Sequence, residues 1–120
     1  GAADFGGIEG VPRATPACFI LPLAESGEAD EGLDEPDFVQ RVRAEFGVVV
    51  AVTNVASRAG AEGAAALEDL RAELAAALFG WTPGGSLLPL VYVRGDLVEF
   101  RPGLLWWQDT WRGAYEIETV

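Results

Sequence analysis

The sequence predicts an α/β fold in one small domain, and three patterns predict it. Residues 48–52, Val48-Val49-Val50-Ala51-Val52, are a largely β-branched apolar run of the kind found in a strand covered on both faces. Leu67, Leu70, Leu74 and Leu78 recur at the three-and-four spacing of one long helix of about residues 61–79. Residues 104–111, Leu-Leu-Trp-Trp-Gln-Asp-Thr-Trp, concentrate three of the chain's four tryptophans in a strand-like ribbon. The 120 residues suffice for one real core and are too few for two comfortable ones.

Along the chain, Phe5 and Ile8 stand at helical spacing among glycines, which allows a helical turn or two before residue 10. Pro16 to Leu23 is a short apolar run bounded by Pro16 and Pro22, as in a strand buried on both sides. Residues 24–37 break the pattern with seven acids, Glu25, Glu28, Asp30, Glu31, Asp34, Glu35 and Asp37, and predict a mobile loop. Its carboxylates lack the alternate spacing and fixed glycine of a calcium loop. Phe38–Asn54 reads as the next strand, polar on one face as far as Glu45 and apolar on both after Gly47.

In the helix that follows, the core stripe comprises Leu67, Leu70, Leu74, Ala77, Leu78 and Trp81, with Gly80 as a left-handed cap and Pro83 blocking any resumption. Leu87–Arg94 and Leu97–Phe100 then read as a hairpin closed at Gly95-Asp96, since Gly-Asp is ordinary turn chemistry. Pro102-Gly103 predicts a further turn with glycine at positive φ. On the tryptophan strand Trp107 and Trp111 point one way and Trp106 the other. Gly113 hands over to a last strand, in which Tyr115 and Ile117 alternate with Glu116 and Glu118.

Nineteen acidic against eight basic residues give a formal charge of −11, and all eight are arginines. Such a chain repels a phosphate backbone, which argues against duplex binding by counterion release. Acidity suits a conduit past which DNA must slide, or a mimic of DNA. With no histidine, no lysine and a single Cys18 in an apolar run, the usual general base, a phosphate-loop lysine, an intrachain disulfide and a thiolate metal cluster are all missing. Catalysis is not expected, and no metal or other cofactor is implied. No apolar run approaches the roughly 20 residues that span a bilayer, and no secretory leader is visible, so the product is expected to be soluble and retained. The chain opens at Gly1 rather than methionine, and some natural N-terminal sequence is expected to precede it.

The indole-rich ribbon carries more apolar surface than one helix can cover, which points to assembly. The candidate subunit interface is Trp106, Trp107 and Trp111, with Arg41 and Arg43 as ion-pair partners for a neighbour's acids. Glu25, Glu28, Asp30, Glu31, Asp34, Glu35 and Asp37 form the candidate channel-facing or partner-facing loop.

Four blocks, in order, resemble the tail terminator proteins of tailed bacteriophages: Pro16-Ala17-Cys18-Phe19-Ile20-Leu21-Pro22-Leu23-Ala24-Glu25, Phe46-Gly47-Val48-Val49-Val50-Ala51-Val52-Thr53-Asn54-Val55, Gly80-Trp81-Thr82-Pro83, and Trp106-Trp107-Gln108-Asp109 with Tyr115. The resemblance runs from about Thr15 to Glu118. It implies a mixed, mainly antiparallel sheet flanked by helices, assembled as a homohexameric ring at the head-proximal end of the tail. Such a ring stops tail-tube polymerisation, joins the tail to the head connector or stopper protein at the neck, and lets DNA pass without specific binding. It implies a virion protein made in the bacterial host cytoplasm, with no membrane partner. The alternative reading of the same acidic chain is a small DNA-mimic or inhibitor that occupies a basic groove on another protein.

Overall fold

The computed structural model describes residues 15–28, 39–54, 61–101 and 103–118. Their elements run β1 (Ala17–Gly27), β2 (Val39–Asn54), α1 (Ala61–Leu78), β3 (Val91–Arg101) and β4 (Gly103–Glu118). One four-stranded sheet has the order β1-β2-β4-β3, and each neighbouring pair is antiparallel. The β2 and β3 strands therefore run in the same direction with β4 between them, and α1 crosses one face of the sheet to connect them.

This corrects the α/β expectation. Four strands of 11, 16, 11 and 16 residues stand against one described helix of 18. The sheet is antiparallel rather than mixed, and the helix covers one face only. The helix is also short for its sheet: 18 residues rise about 27 Å, whereas the 16-residue central strands extend about 53 Å. About half of the sheet therefore projects beyond it. The radius of gyration is 17.8 Å and the extents are 62 × 29 × 21 Å, against about 14 Å for the radius of a compact chain of this length.

The strands are longer than the punctuation in the sequence suggests. The β1 strand passes Pro22 with a register shift and continues to Gly27, so Glu25 belongs to a strand rather than to a loop. Nor do Gly95 and Asp96 turn the chain: they lie inside β3, opposite Asp109 and Gln108. The hairpin closes instead between Arg101 and Leu104, which pair with each other, and Gly103 has the expected positive φ of 89°; Pro102 lies outside the described residues. Gly113 likewise interrupts nothing, and β4 runs through it to Glu118. The suggested helical turns before residue 10, and Asp30, Glu31, Asp34, Glu35 and Asp37, lie outside the described residues.

The core has two layers divided by the sheet. On the helix face Val48, Val50, Val52, Leu105 and Trp111 pack with Leu67 and Leu90, and Leu70, Leu74, Ala75, Leu78 and Trp107 close around them. On the other face Val49, Ala51, Leu104 and Trp106 pack with Ala17, Phe19 and Leu21. The double-sided apolar run of β2 is thus matched by a double-sided stretch of β4, as strand alternation requires. Trp81, expected in the helix stripe, is 54 % exposed. Gly80, at φ 80°, turns the chain off the helix axis before the indole could reach the core, and its N–H donates to the Leu90 carbonyl at 2.9 Å. Among the described residues no helix is long and apolar enough to cross a membrane.

Candidate functional site

The tryptophan strand divides between the faces as its alternation predicts. Trp106 and Trp111 are each 3 % exposed. Trp106 stacks on Phe19, with centroids 5.9 Å apart and planes 15° from parallel, while Trp111 meets Tyr92 edge-on at 5.3 Å. Both indoles are buried within a single copy. Trp107 is half-buried, between the helix and the sheet edge.

Trp107 belongs to a polar cluster at the centre of the helix face. Asp109, 5 % exposed in β4, receives four charge-assisted or hydroxyl donors. Arg71 of α1 donates from Nε to Oδ2 and from Nη2 to Oδ1, both at 3.0 Å. The Tyr92 hydroxyl donates to Oδ1 at 3.1 Å and the Trp107 indole N–H to Oδ1 at 2.9 Å. The guanidinium carbon lies 4.7 Å from the Trp107 ring centroid, a cation–π contact. The hydrogen bond to Asp109 raises the Arg71 pKa above its ordinary value, and burial, reinforced by Asp109, raises that of Tyr92. The cluster joins α1, β3 and β4 by directional bonds where the leucine stripe alone would let the helix slide.

Gly95 is the floor of this cluster. A Cβ there would stand 2.5 Å from the Tyr92 hydroxyl, 2.7 Å from Asp109 Oδ1 and 2.8 Å from Trp107 Cζ2. The glycine that resembles a turn residue is therefore present because three side chains occupy the space of its missing methyl. With its carboxylate oxygens engaged by donors from both sides and closed off from water, Asp109 is built for holding rather than for proton transfer.

Of the other expected residues, those that are described, Arg41, Arg43, Glu25 and Glu28, lie toward the projecting half of the sheet. Arg41 and Arg43 are exposed on the helix-free face of β2, with Arg41 in register opposite Glu116 and Glu45 opposite Arg112. Arg43 pairs with Glu28 of its own chain. Glu25 accepts a hydrogen bond from the Tyr115 hydroxyl at 3.0 Å across the opposite face, which raises the tyrosine pKa. These charges thus have intrachain neighbours, and the structure does not gather them with the tryptophans. Among the described residues no group of three or more His, Cys, Asp or Glu is placed to hold a metal ion.

The apolar surface left for a partner lies elsewhere. Ile20 of edge strand β1 is 71 % exposed and Leu97 of edge strand β3 is 55 % exposed, both on the helix face of the sheet. Phe79 and Trp81 project at the end of α1. Between β1 and α1 runs an apolar groove of about 190 Å³, lined by Pro16, Cys18, Val50, Leu70 and Leu74. Burial raises the Cys18 thiol pKa. Sequence patterning missed both the Arg71–Asp109 pair and these edges. The pair did leave a signal: Arg71 falls four residues after Leu67, on the leucine side of the helix, and Asp109 falls between Trp107 and Trp111 on one strand face. A lone cation and a lone anion on facing apolar surfaces call for each other.

A family model described as phage tail terminator protein matches residues 1–119. No curated protein matches the chain.

Proposed function

The chain belongs to the phage tail terminator protein family, and from that premise we propose that it forms the homohexameric ring that ends the tail tube at its head-proximal face. Its family is a structural one, and its place is the phage tail. In the proposed role six copies sit on the last ring of tail tube protein, block further addition, and present the opposite face to the head connector or stopper protein. DNA passes through the centre, and a charge of −11 disfavours its adhesion to the wall.

The observation that carries this reading beyond family membership is the distribution of apolar surface. A chain of this size keeps Ile20, Leu97, Phe79, Trp81 and Ile117 at half exposure or more, although its longest strands have enough partners to build a core. Exposed side chains of this size spaced along an elongated molecule suit contacts with several neighbours rather than one ligand pocket. The test is a tube-length assay. Polymerising tail tube protein is mixed with increasing amounts of this chain, and lengths are measured by negative-stain microscopy. Termination predicts tubes that shorten as the ratio rises and carry one extra ring at one end. Lengths independent of the ratio, with bare tube ends, reject it.

A further inference from the structure

We propose that neighbouring copies join edge to edge, β3 of one against β1 of the next, so that the sheet continues around the ring. This rests on the ring reading above and names the surface that builds it. Among the described residues, four strands in the order β1-β2-β4-β3, all antiparallel, leave β1 and β3 as edges running in opposite directions. Copies related by rotation about an axis along the strands then bring β3 and β1 together antiparallel, with the helix faces on the same side.

The two edges match in two further ways. Each is 11 residues long, Ala17–Gly27 and Val91–Arg101, so end-to-end alignment leaves no overhang. Ile20 and Leu97, the most exposed large apolar residues of their strands, are on the same face, and shifting that alignment by one residue sets them directly opposite each other. An 11-residue edge is about 36 Å long. Over the 21 Å of the molecule's least dimension it offers about 760 Å², close to the roughly 800 Å² per partner of a specific interface.

A closed ring of head-to-tail pairs removes every free edge, whereas a two-fold β3–β3 pair would leave β1 and Ile20 uncovered. The Arg71–Asp109–Tyr92 cluster acquires a role here: it fixes β3 against α1 and so presents Leu97 in one position.

Cross-linking tests this directly. In a Cys18→Ser background, Ile20→Cys and Leu97→Cys are introduced together and oxidised under conditions in which native mass spectrometry shows the hexamer. Edge pairing predicts a ladder of covalent species up to six copies on a non-reducing gel, while either cysteine alone gives dimers at most. As a second arm, Leu97→Arg should lower the hexamer fraction at least tenfold with unchanged circular dichroism, and Ile20→Glu in the same chain should restore much of it. A hexamer without the ladder, unaffected by Leu97→Arg, overturns the edge pairing and leaves the ring reading intact. Absence of any hexamer from the unaltered chain, even on tail tubes, overturns both.

Discussion

Gly95→Ala is the smallest change that probes the Arg71–Asp109 cluster. Its Cβ would fall short of an ordinary 3.4 Å contact by about 0.9 Å at the Tyr92 hydroxyl, 0.7 Å at Asp109 Oδ1 and 0.6 Å at Trp107 Cζ2. All three belong to one hydrogen-bonded unit, so none can recede without lengthening a bond to the 5 % exposed carboxylate. Overpacking of this kind costs about 1–3 kcal/mol. Loss of the Tyr92 bond to a charged acceptor adds about 1.5 kcal/mol, the lower end of its range because the phenol is partly solvated. Replacing a strand glycine by alanine returns about 0.5–1 kcal/mol of backbone entropy. The net expectation is a loss of about 1.5–4 kcal/mol, read by urea denaturation at fixed protein concentration so that assembly does not contribute differently. Tyr92→Phe alone should cost about 1.5 kcal/mol, and the double change should cost less than the sum because the closest clash is gone. Gly84→Ala, where nothing lies within 4 Å, is the control and should be neutral or slightly stabilising. A Gly95→Ala protein as stable as the original, or strict additivity with Tyr92→Phe, would refute the packing argument.

Three further outcomes follow from the same geometry. Arg71→Met should cost about 2–3 kcal/mol by leaving Asp109 without its cation, and adding Asp109→Leu should recover a large part of that loss in the same denaturation series, since an apolar pair of similar volume replaces a buried ion pair at little cost. Trp106→Ala should destabilise the fold by about 3–5 kcal/mol, visible as a lowered melting temperature in calorimetry; a variant that melts normally and merely fails to assemble would place this indole between subunits. Cys18, Tyr92 and Tyr115 all have folded pKa values above their ordinary ones. Their contribution is therefore complete below about pH 9 and is lost as pH rises through the folded values. Urea midpoints should fall across that alkaline range, and less steeply in Tyr92→Phe.

Much of the architecture is written in periodicity. The Val48–Val52 run marks a strand covered twice, and in the structure it is the centre of both core layers. The parity of Trp106 against Trp107 and Trp111 follows from strand geometry alone. What misleads is local chemistry with two uses. Gly95-Asp96 has the composition of a turn, but the glycine is there to make room for side chains distant in sequence. Acidic composition from Ala24 onward suggests a loop, yet Glu25 and Ser26 pair with β2 because the ladder bonds backbone, not side chains. Trp81 continues the leucine spacing, but the spacing loses meaning once Gly80 leaves the helix. The balance between helix and sheet was hidden for a related reason: Gly113 and Pro22 look like strand ends and are not.

The candidate surface was less legible still. An aromatic-rich strand announces buried area without saying who buries it, and here the answer for Trp106 and Trp111 is the chain itself. Edge strands are defined by the order β1-β2-β4-β3, and no single strand's sequence carries that order. Ile20 in a proline-bounded run reads as core until β1 is known to be an edge.

The most direct test is a cryo-electron microscopy reconstruction of tail tube ends assembled with this chain. The account predicts a single ring of six copies capping one end, with β3 of each copy beside β1 of the next and Trp106 inside its own subunit. Tube ends without this chain, or rings whose neighbours meet through the Trp106 face while β1 and β3 stay unpaired, would contradict it.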